Sequence, residues 1–93
     1  MAALKADGAD ADIHALLGYA YRRDGKPDVA IRQYAEALRL DPAHRRAHEG
    51  VGEAYVTTGN RAKAQEHLAA LERLCGKGCA EYQDLAKAIA AAR

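Results

Sequence analysis

The chain contains no tryptophan, phenylalanine or serine, so the largest aromatic side chains and the commonest hydroxyl nucleophile are absent. Its five tyrosines are the only aromatic residues, and alanine makes up much of the apolar fraction. Small side chains let neighbouring helices approach closely, so this composition favours tightly stacked helices over a large pocket around a cofactor. We therefore expect no cofactor.

A large excess of either charge is missing as well, because the 93 residues have a formal net charge of +1 and the charged residues alternate in sign. This pattern excludes the broad basic face that nucleic acid binding requires. No apolar run approaches the roughly 18–20 residues that span a membrane, so we expect no membrane insertion. Residues 1–12 have neither the basic start nor the apolar stretch of a signal peptide.

What the chain does contain is an internal repeat. Residues 17–21 (Leu-Gly-Tyr-Ala-Tyr) return as residues 51–55 (Val-Gly-Glu-Ala-Tyr), and the two glycines are 34 residues apart (52 − 18 = 34). The same offset leads to residues 85–89, where the pattern is weaker. A fixed period of about 34 residues predicts helix–turn–helix units that stack into a solenoid.

Apolar spacing and turn residues predict five helices joined by short connections. Gly25 and Gly59 are predicted to end helices in the left-handed conformation, and Pro27 fits the first turn of a helix. Asp10 and Asn60 are predicted N-caps. The predicted helices cover about residues 11–24, 27–40, 45–58, 61–74 and 80–92. In the first of them the apolar residues that recur at helical spacing are Ile13, Leu16, Leu17, Ala20 and Tyr21.

These residues resemble the motif of the tetratricopeptide repeat family. In the order of that motif, the first repeat supplies Leu17, Gly18, Tyr21, Ala30, Tyr34, Ala37 and Pro42, and the second supplies Val51, Gly52, Tyr55, Ala64, Leu68 and Leu71. Gly18 and Gly52 are expected where the two helices of a unit touch. His14 and His48 depart from the motif, which favours tryptophan at their positions.

The resemblance implies a fold and a division of the chain. The implied fold is all-α, a right-handed α-solenoid of two helix–turn–helix repeats and a capping helix that covers the apolar face of the last repeat. Residues 1–10 would form an N-terminal tail, residues 11–44 and 45–78 the two repeats, and residues 79–93 the capping helix.

The resemblance also implies a function, because family members bind peptides or protein segments in a concave groove. The chain would then be an interaction module that acts as an adaptor or assembly scaffold. The positions that line the family's groove hold Asp12, Ala15, Tyr19, Arg22, Arg46, Glu49, Glu53, Val56, Gln83 and Lys87. A clamp for a C-terminal carboxylate is not expected, since its positions hold Ala15, Tyr19 and Glu53. Glu49 and Glu53 suggest a ligand with a lysine or arginine, unless they are solvated surface charges.

Cys75 and Cys79 are the only cysteines and flank Gly-Lys-Gly. A turn through two glycines brings such a pair within disulfide range, and closing so short a loop would stabilise the chain by about 2 kcal/mol. The segment loosely resembles a turn of bacterial envelope members of the family, and an oxidised pair indicates the periplasm or cell envelope. The alternatives are free thiols in the cytoplasm, or a metal or redox site, although the spacing is not that of a zinc knuckle.

No catalytic or metal site is predicted, so we expect the protein not to be an enzyme. His44 and His48 are four residues apart, but no carboxylate or thiol partner is near them in sequence, which favours loop and interface roles. The same holds for His14 and His67. An alternative function is a self-associating structural unit. About three repeats are usually needed for independent stability, and this chain has two repeats and a cap, so a second copy could supply the missing contacts.

Overall fold

The computed structural model describes residues 8–92, with side chains from Asp10 onward, and contains the five predicted helices. Their bounds are Gly8–Arg23 (α1), Pro27–Leu40 (α2), Arg45–Thr57 (α3), Arg61–Cys75 (α4) and Ala80–Ala91 (α5). No strand occurs in this part of the chain, so the all-α prediction is confirmed. Apart from the start of α1, each helix begins and ends within one residue of its predicted position.

Helix α1 begins at Gly8, three residues before the predicted start. Asp10 therefore lies in the first turn instead of capping it, and its carboxylate there favours the positive end of the helix dipole. The predicted N-terminal tail, residues 1–10, is thus helical over residues 8–10. Its residues 1–7 lie outside the described part of the chain.

The turns after α1 and α3 have the same geometry. Gly25 and Gly59 have φ values of +77° and +84°, in the left-handed region that glycine adopts without strain. The amide after each glycine donates to the carbonyl five residues before it, at 2.9 Å from Lys26 and 2.8 Å from Asn60. The Asn60 side chain also accepts a hydrogen bond from the Lys63 amide at 3.2 Å, which confirms it as an N-cap.

Helix α3 is the centre of the molecule and contacts all four other helices. Helices α1 and α2 form one hairpin, α3 and α4 form the next, and α5 packs against α3 and α4. Alanine makes up most of the core, which consists of Ala11, Ala15, Ala30, Tyr34, Ala37, Ala47, Val51, Ala54, Ala64, Leu71, Leu85 and Ile89. The small core residues allow the helices to approach closely, as the composition predicts.

Three glycines make room for two large core side chains. A Cβ atom at Gly18 would lie 2.9 Å from the ring of Tyr34, and one at Gly50 would overlap the same ring. A Cβ atom at Gly52 would lie 2.5 Å from a methyl carbon of Leu85. The prediction that Gly18 faces its partner helix is confirmed. The prediction for Gly52 is wrong, because the side of α3 that carries this glycine receives the capping helix and not α4.

The large apolar residues of α1 face away from the core. Ile13, Leu16 and Leu17 are 54%, 62% and 40% exposed, while the side that packs on the other helices carries smaller residues. We call this exposed face the outer stripe of α1; it consists of Ile13, Leu16, Leu17 and Ala20. On the opposite side of the helix the buried residues are Ala11, Ala15 and Gly18.

Candidate functional site

A cleft of about 780 Å³ opens between α1, α3 and α5. Helix α1 contributes Asp12, Ala15, Leu16, Tyr19 and Arg22 to its lining, and α3 with the residue before it contributes His44, Arg46, Glu49 and Gly50. Helix α5 adds Ala80, Glu81 and Asp84, and Tyr34 of α2 adds its ring. The cleft therefore lies along the first helices of the two hairpins and is closed at one side by the last helix.

The predicted groove residues of α1 all line this cleft, and so do Arg46 and Glu49 of α3. The other predicted positions do not line it: Glu53 and Val56 of α3, and Gln83 and Lys87 of α5. Leu85 fixes the rotation of α5, because it is buried where Gly52 leaves room. Residues two positions from Leu85 lie about 200° away around the helix and so face solvent. The sequence missed Glu81 and Asp84, because only the packing of Leu85 shows which side of α5 faces the cleft.

Arg22, Glu49 and Asp84 line the cleft, and Glu53 lies next to Arg22 and Glu49. Arg22 Nη1 donates to Glu53 Oε1 at 3.1 Å, and the two side chains are only 22% and 18% exposed. Burial raises the pKa of Glu49 to about 8, and hydrogen bonding and repulsion from Glu53, followed by repulsion from Asp84, act in the same direction. Neither glutamate is a fully solvated surface charge, and Glu53 is already paired within the protein.

Tyr19 forms part of the α1 wall and is 46% exposed. The guanidinium carbons of Arg22 and Arg23 lie 5.6 Å and 5.7 Å from its ring centroid, within the range of a cation–π interaction. Arg23 Nη1 also donates to the Tyr19 hydroxyl at 2.8 Å. The ring is therefore held in position by two arginines and still presents much of its surface to the cleft and to solvent.

His44 joins the start of α3 to α1. Its Nδ1 atom accepts from the Ala47 amide at 3.1 Å, so that the hydrogen on Nε2 points to Asp12 Oδ1 at 2.6 Å. The sequence predicts a loop role for His44, and the residue does lie in the connection before α3. Its carboxylate partner is a residue 32 positions earlier, so the neighbouring sequence does not reveal it. His44 is the N-cap of α3 and helps to fix the entrance of the cleft.

The other histidines lie away from the cleft. The Nδ1 atoms of His48 and His67 are 3.0 Å apart, and His48 Nε2 donates to the Pro42 carbonyl at 2.8 Å. His67 also stacks on the ring of Tyr55. Burial and the neighbouring His48 lower the pKa of His67 to about 4. His14, the last of the four, pairs with the side-chain amide oxygen of a residue on α2 at 2.9 Å.

Cys75 and Cys79 are joined by a disulfide in the structure, with 5.9 Å between their Cα atoms. Cys75 is the last residue of α4, and Cys79 immediately precedes α5, so the bond closes the connection between these helices. Metal ions are commonly held by three or more histidine, cysteine, aspartate or glutamate side chains. Within residues 8–92, the one such group with its ligand atoms close enough together consists of the two cysteine sulfur atoms and the Glu81 carboxylate. Sulfur atoms bonded to each other are not thiolate ligands.

Antiparallel helix pairs with a repeating pattern and a cleft along their first helices define a helical-repeat scaffold. Residues 15–78 match the family described as tetratricopeptide repeat, which is more than half of the chain. The chain belongs to the tetratricopeptide repeat family. Repeats of this family generally mediate protein–protein interactions. No curated protein is found to match the chain. None of the helices within residues 8–92 is both long enough and apolar enough to cross a bilayer.

Proposed function

We propose that the protein is a non-catalytic adaptor or assembly scaffold that holds a peptide or partner segment in the cleft. The bound segment carries at least one lysine or arginine, and the carboxyl group of Glu49 is the observation that supports this choice most directly. The cleft is lined by four acidic residues, Asp12, Glu49, Glu81 and Asp84. Of the two arginines in the lining, Arg22 is already paired with Glu53.

Glu49 links this proposal to pH. With a pKa of about 8, its carboxyl group is mostly protonated in the empty cleft at neutral pH. A lysine ammonium or arginine guanidinium beside it would favour the carboxylate and lower that pKa. Binding would then release a proton, and the cation would relieve the repulsion among Glu49, Glu53 and Asp84. An anionic ligand would add to that repulsion.

The apolar parts of the wall suit the same kind of ligand. Tyr19 lines one side of the cleft and is 46% exposed. A lysine or arginine side chain can lay its aliphatic stem on this ring while its charged end reaches a carboxylate. The cleft therefore offers both contacts that one long basic side chain makes.

Selection of random short peptides displayed on phage, carried out at about pH 8, tests this proposal. We expect the selected peptides to contain lysine or arginine, and replacement of that residue by norleucine or glutamine to abolish binding. In calorimetric titrations with a selected peptide, Glu49→Gln should weaken binding by about tenfold or more, because a charged hydrogen bond is lost. The affinity of the unmodified protein should rise from about pH 6 to about pH 9 as Glu49 ionises.

The matched control is Glu72→Gln, which removes the same charge at an exposed position of α4 outside the cleft lining. This variant should bind the peptide with nearly unchanged affinity. Acidic consensus peptides would refute the proposal. So would an equal loss of affinity in Glu49→Gln and Glu72→Gln, since general electrostatic attraction would then explain the binding.

We also propose that the Cys75–Cys79 disulfide forms in the cell and that the protein works in an oxidising compartment, the periplasm or cell envelope. Disulfides persist in such compartments and are rare in the cytoplasm. Alkylation of thiols before lysis of the native host, followed by intact-mass analysis, should leave both cysteines unmodified. Reduction should lower the free energy of unfolding by about 2 kcal/mol, as should the Cys75→Ser, Cys79→Ser double variant. Two alkylated cysteines would instead indicate a reducing compartment.

A further inference from the structure

The outer stripe of α1 is apolar on a helix that is already packed on its other side. Ile13, Leu16 and Leu17 are each at least 40% exposed, although the spacing of these residues is that of a buried helix face. A helix with apolar residues on two sides is typical of a position between neighbours. Within residues 8–92, the helices that contact α1 are α2 and α3, and both pack on the side opposite the stripe.

The opposite end of the array differs. Helix α5 buries Leu85 and Ile89 against α3 and α4, and its exposed residues outside the cleft include Gln83 and Lys87. Its outer side is therefore suited to water, as expected of a helix that closes a repeat array. Among the side chains that the structure describes, the large exposed apolar ones lie on α1, apart from Leu74 at 40% exposure.

We infer that the outer stripe of α1 is the contact surface for a second copy of this chain, in a two-fold symmetric dimer with the two α1 helices antiparallel. Two-fold symmetry requires a surface that complements itself. The stripe is self-complementary in this sense. When the two-fold axis passes beside Leu16 and Leu17, Ile13 of one copy lies near Ala20 of the other. Each apolar residue of the stripe then meets an apolar residue of the second copy.

The charges of α1 fit the same arrangement. Asp12 and Arg23 are 11 residues apart (23 − 12 = 11), which is about three full helical turns, so they lie on the same flank of the stripe. In an antiparallel pair the N-terminal end of each α1 lies beside the C-terminal end of the other. Asp12, which is 67% exposed, would therefore face Arg23 of the second copy on both sides of the axis.

The size of the surface indicates how tight the dimer is. Helix α1 has 16 residues and is about 24 Å long, so one helix from each copy supplies most of the contact. Such a contact belongs to the small interfaces, below about 1,200 Å² in total. The dimer should therefore dissociate upon dilution, and its population should depend on concentration in the micromolar range.

Sedimentation velocity from about 5 μM to about 1 mM tests the inference with three single variants. The unmodified chain should shift from monomer to dimer over this range. Ile13→Glu and Leu17→Glu place a charge in the stripe without changing the cleft lining, and each should raise the dissociation constant more than about tenfold. Ala90→Glu is the matched control, because it adds the same charge at an exposed position of α5. It should leave the dimer intact.

A charge exchange tests the antiparallel arrangement. Arg23→Glu should weaken the dimer a few-fold, the size expected of an exposed ion pair, and the double variant Asp12→Arg, Arg23→Glu should restore it. Circular dichroism checks that each variant keeps its helices. A chain that stays monomeric at 1 mM would overturn the inference. A dimer that survives both Ile13→Glu and Leu17→Glu would do the same, since another surface would then hold the copies together.

Discussion

Replacement of Tyr34 by alanine is expected to lower the free energy of unfolding by about 3–5 kcal/mol. Tyr34 is 2% exposed, and its ring lies against Gly18 of α1 and Gly50 of α3 while its own backbone belongs to α2. Removal of the ring leaves a cavity that the glycines cannot fill, because they have no side chains. Small domains have a total stability of about 5–15 kcal/mol, so much of this protein would unfold at moderate temperature.

Urea denaturation followed by circular dichroism measures this loss, and Tyr34→Phe is its matched control. The phenylalanine ring keeps the packing and removes only the hydroxyl group, so its cost should stay below about 1.5 kcal/mol. Gly50→Ala should be destabilising for the converse reason, since its methyl group would overlap the Tyr34 ring. Similar losses for Tyr34→Phe and Tyr34→Ala would show that the ring is not the element that joins the three helices.

Replacement of Leu85 by alanine is the second large effect, with an expected loss of about 2–5 kcal/mol. Leu85 is fully buried and occupies the space beside Gly52, where it holds α5 against α3. Without it, α5 loses its largest fully buried side chain, and the apolar residues of α4 that pack against it become accessible to water. Thermal denaturation should show a lower midpoint for this variant.

Leu74→Ala provides the control for Leu85→Ala, because the same atoms are removed from a leucine that is 40% exposed. Surface substitutions of this kind usually change stability by less than about 0.5–1 kcal/mol. Hydrogen exchange adds a local measurement, since amides of α5 should lose protection in Leu85→Ala more than amides of α2. Equal losses in the two leucine variants would mean that α5 does not depend on Leu85.

The helices and turns were predictable because their signals are local. A glycine that adopts positive φ ends a helix whatever packs against it, and Gly25 and Gly59 both do so. Pro27 is the first residue of α2, and the Asn60 side chain caps α4 by accepting from the amide three residues later. The repeat of 34 residues then gives the order of the hairpins, because each unit must cover the apolar face of the next.

The contacts between distant residues were not predictable in the same way. Apolar spacing on α1 predicts a face that includes Ile13 and Leu17, and these two residues are exposed because the smaller residues on the other side of the helix allow closer packing. The partner of Gly52 depends on the rotation of α5, which Leu85 sets. The rotation of α5 also decides which of its residues line the cleft. Asp84 faces the cleft, whereas Gln83 and Lys87 were expected there.

The different outer sides of α1 and α5 determine how far any stacking of copies can extend. Head-to-tail growth into a filament needs two unlike surfaces that fit each other, one at each end of the subunit. Within residues 8–92, the proposed contact surface lies on α1, while the outer side of α5 carries polar side chains such as Gln83 and Lys87. A second copy that binds through α1 in the proposed dimer thus exposes no further apolar surface of this kind, and assembly ends at the dimer.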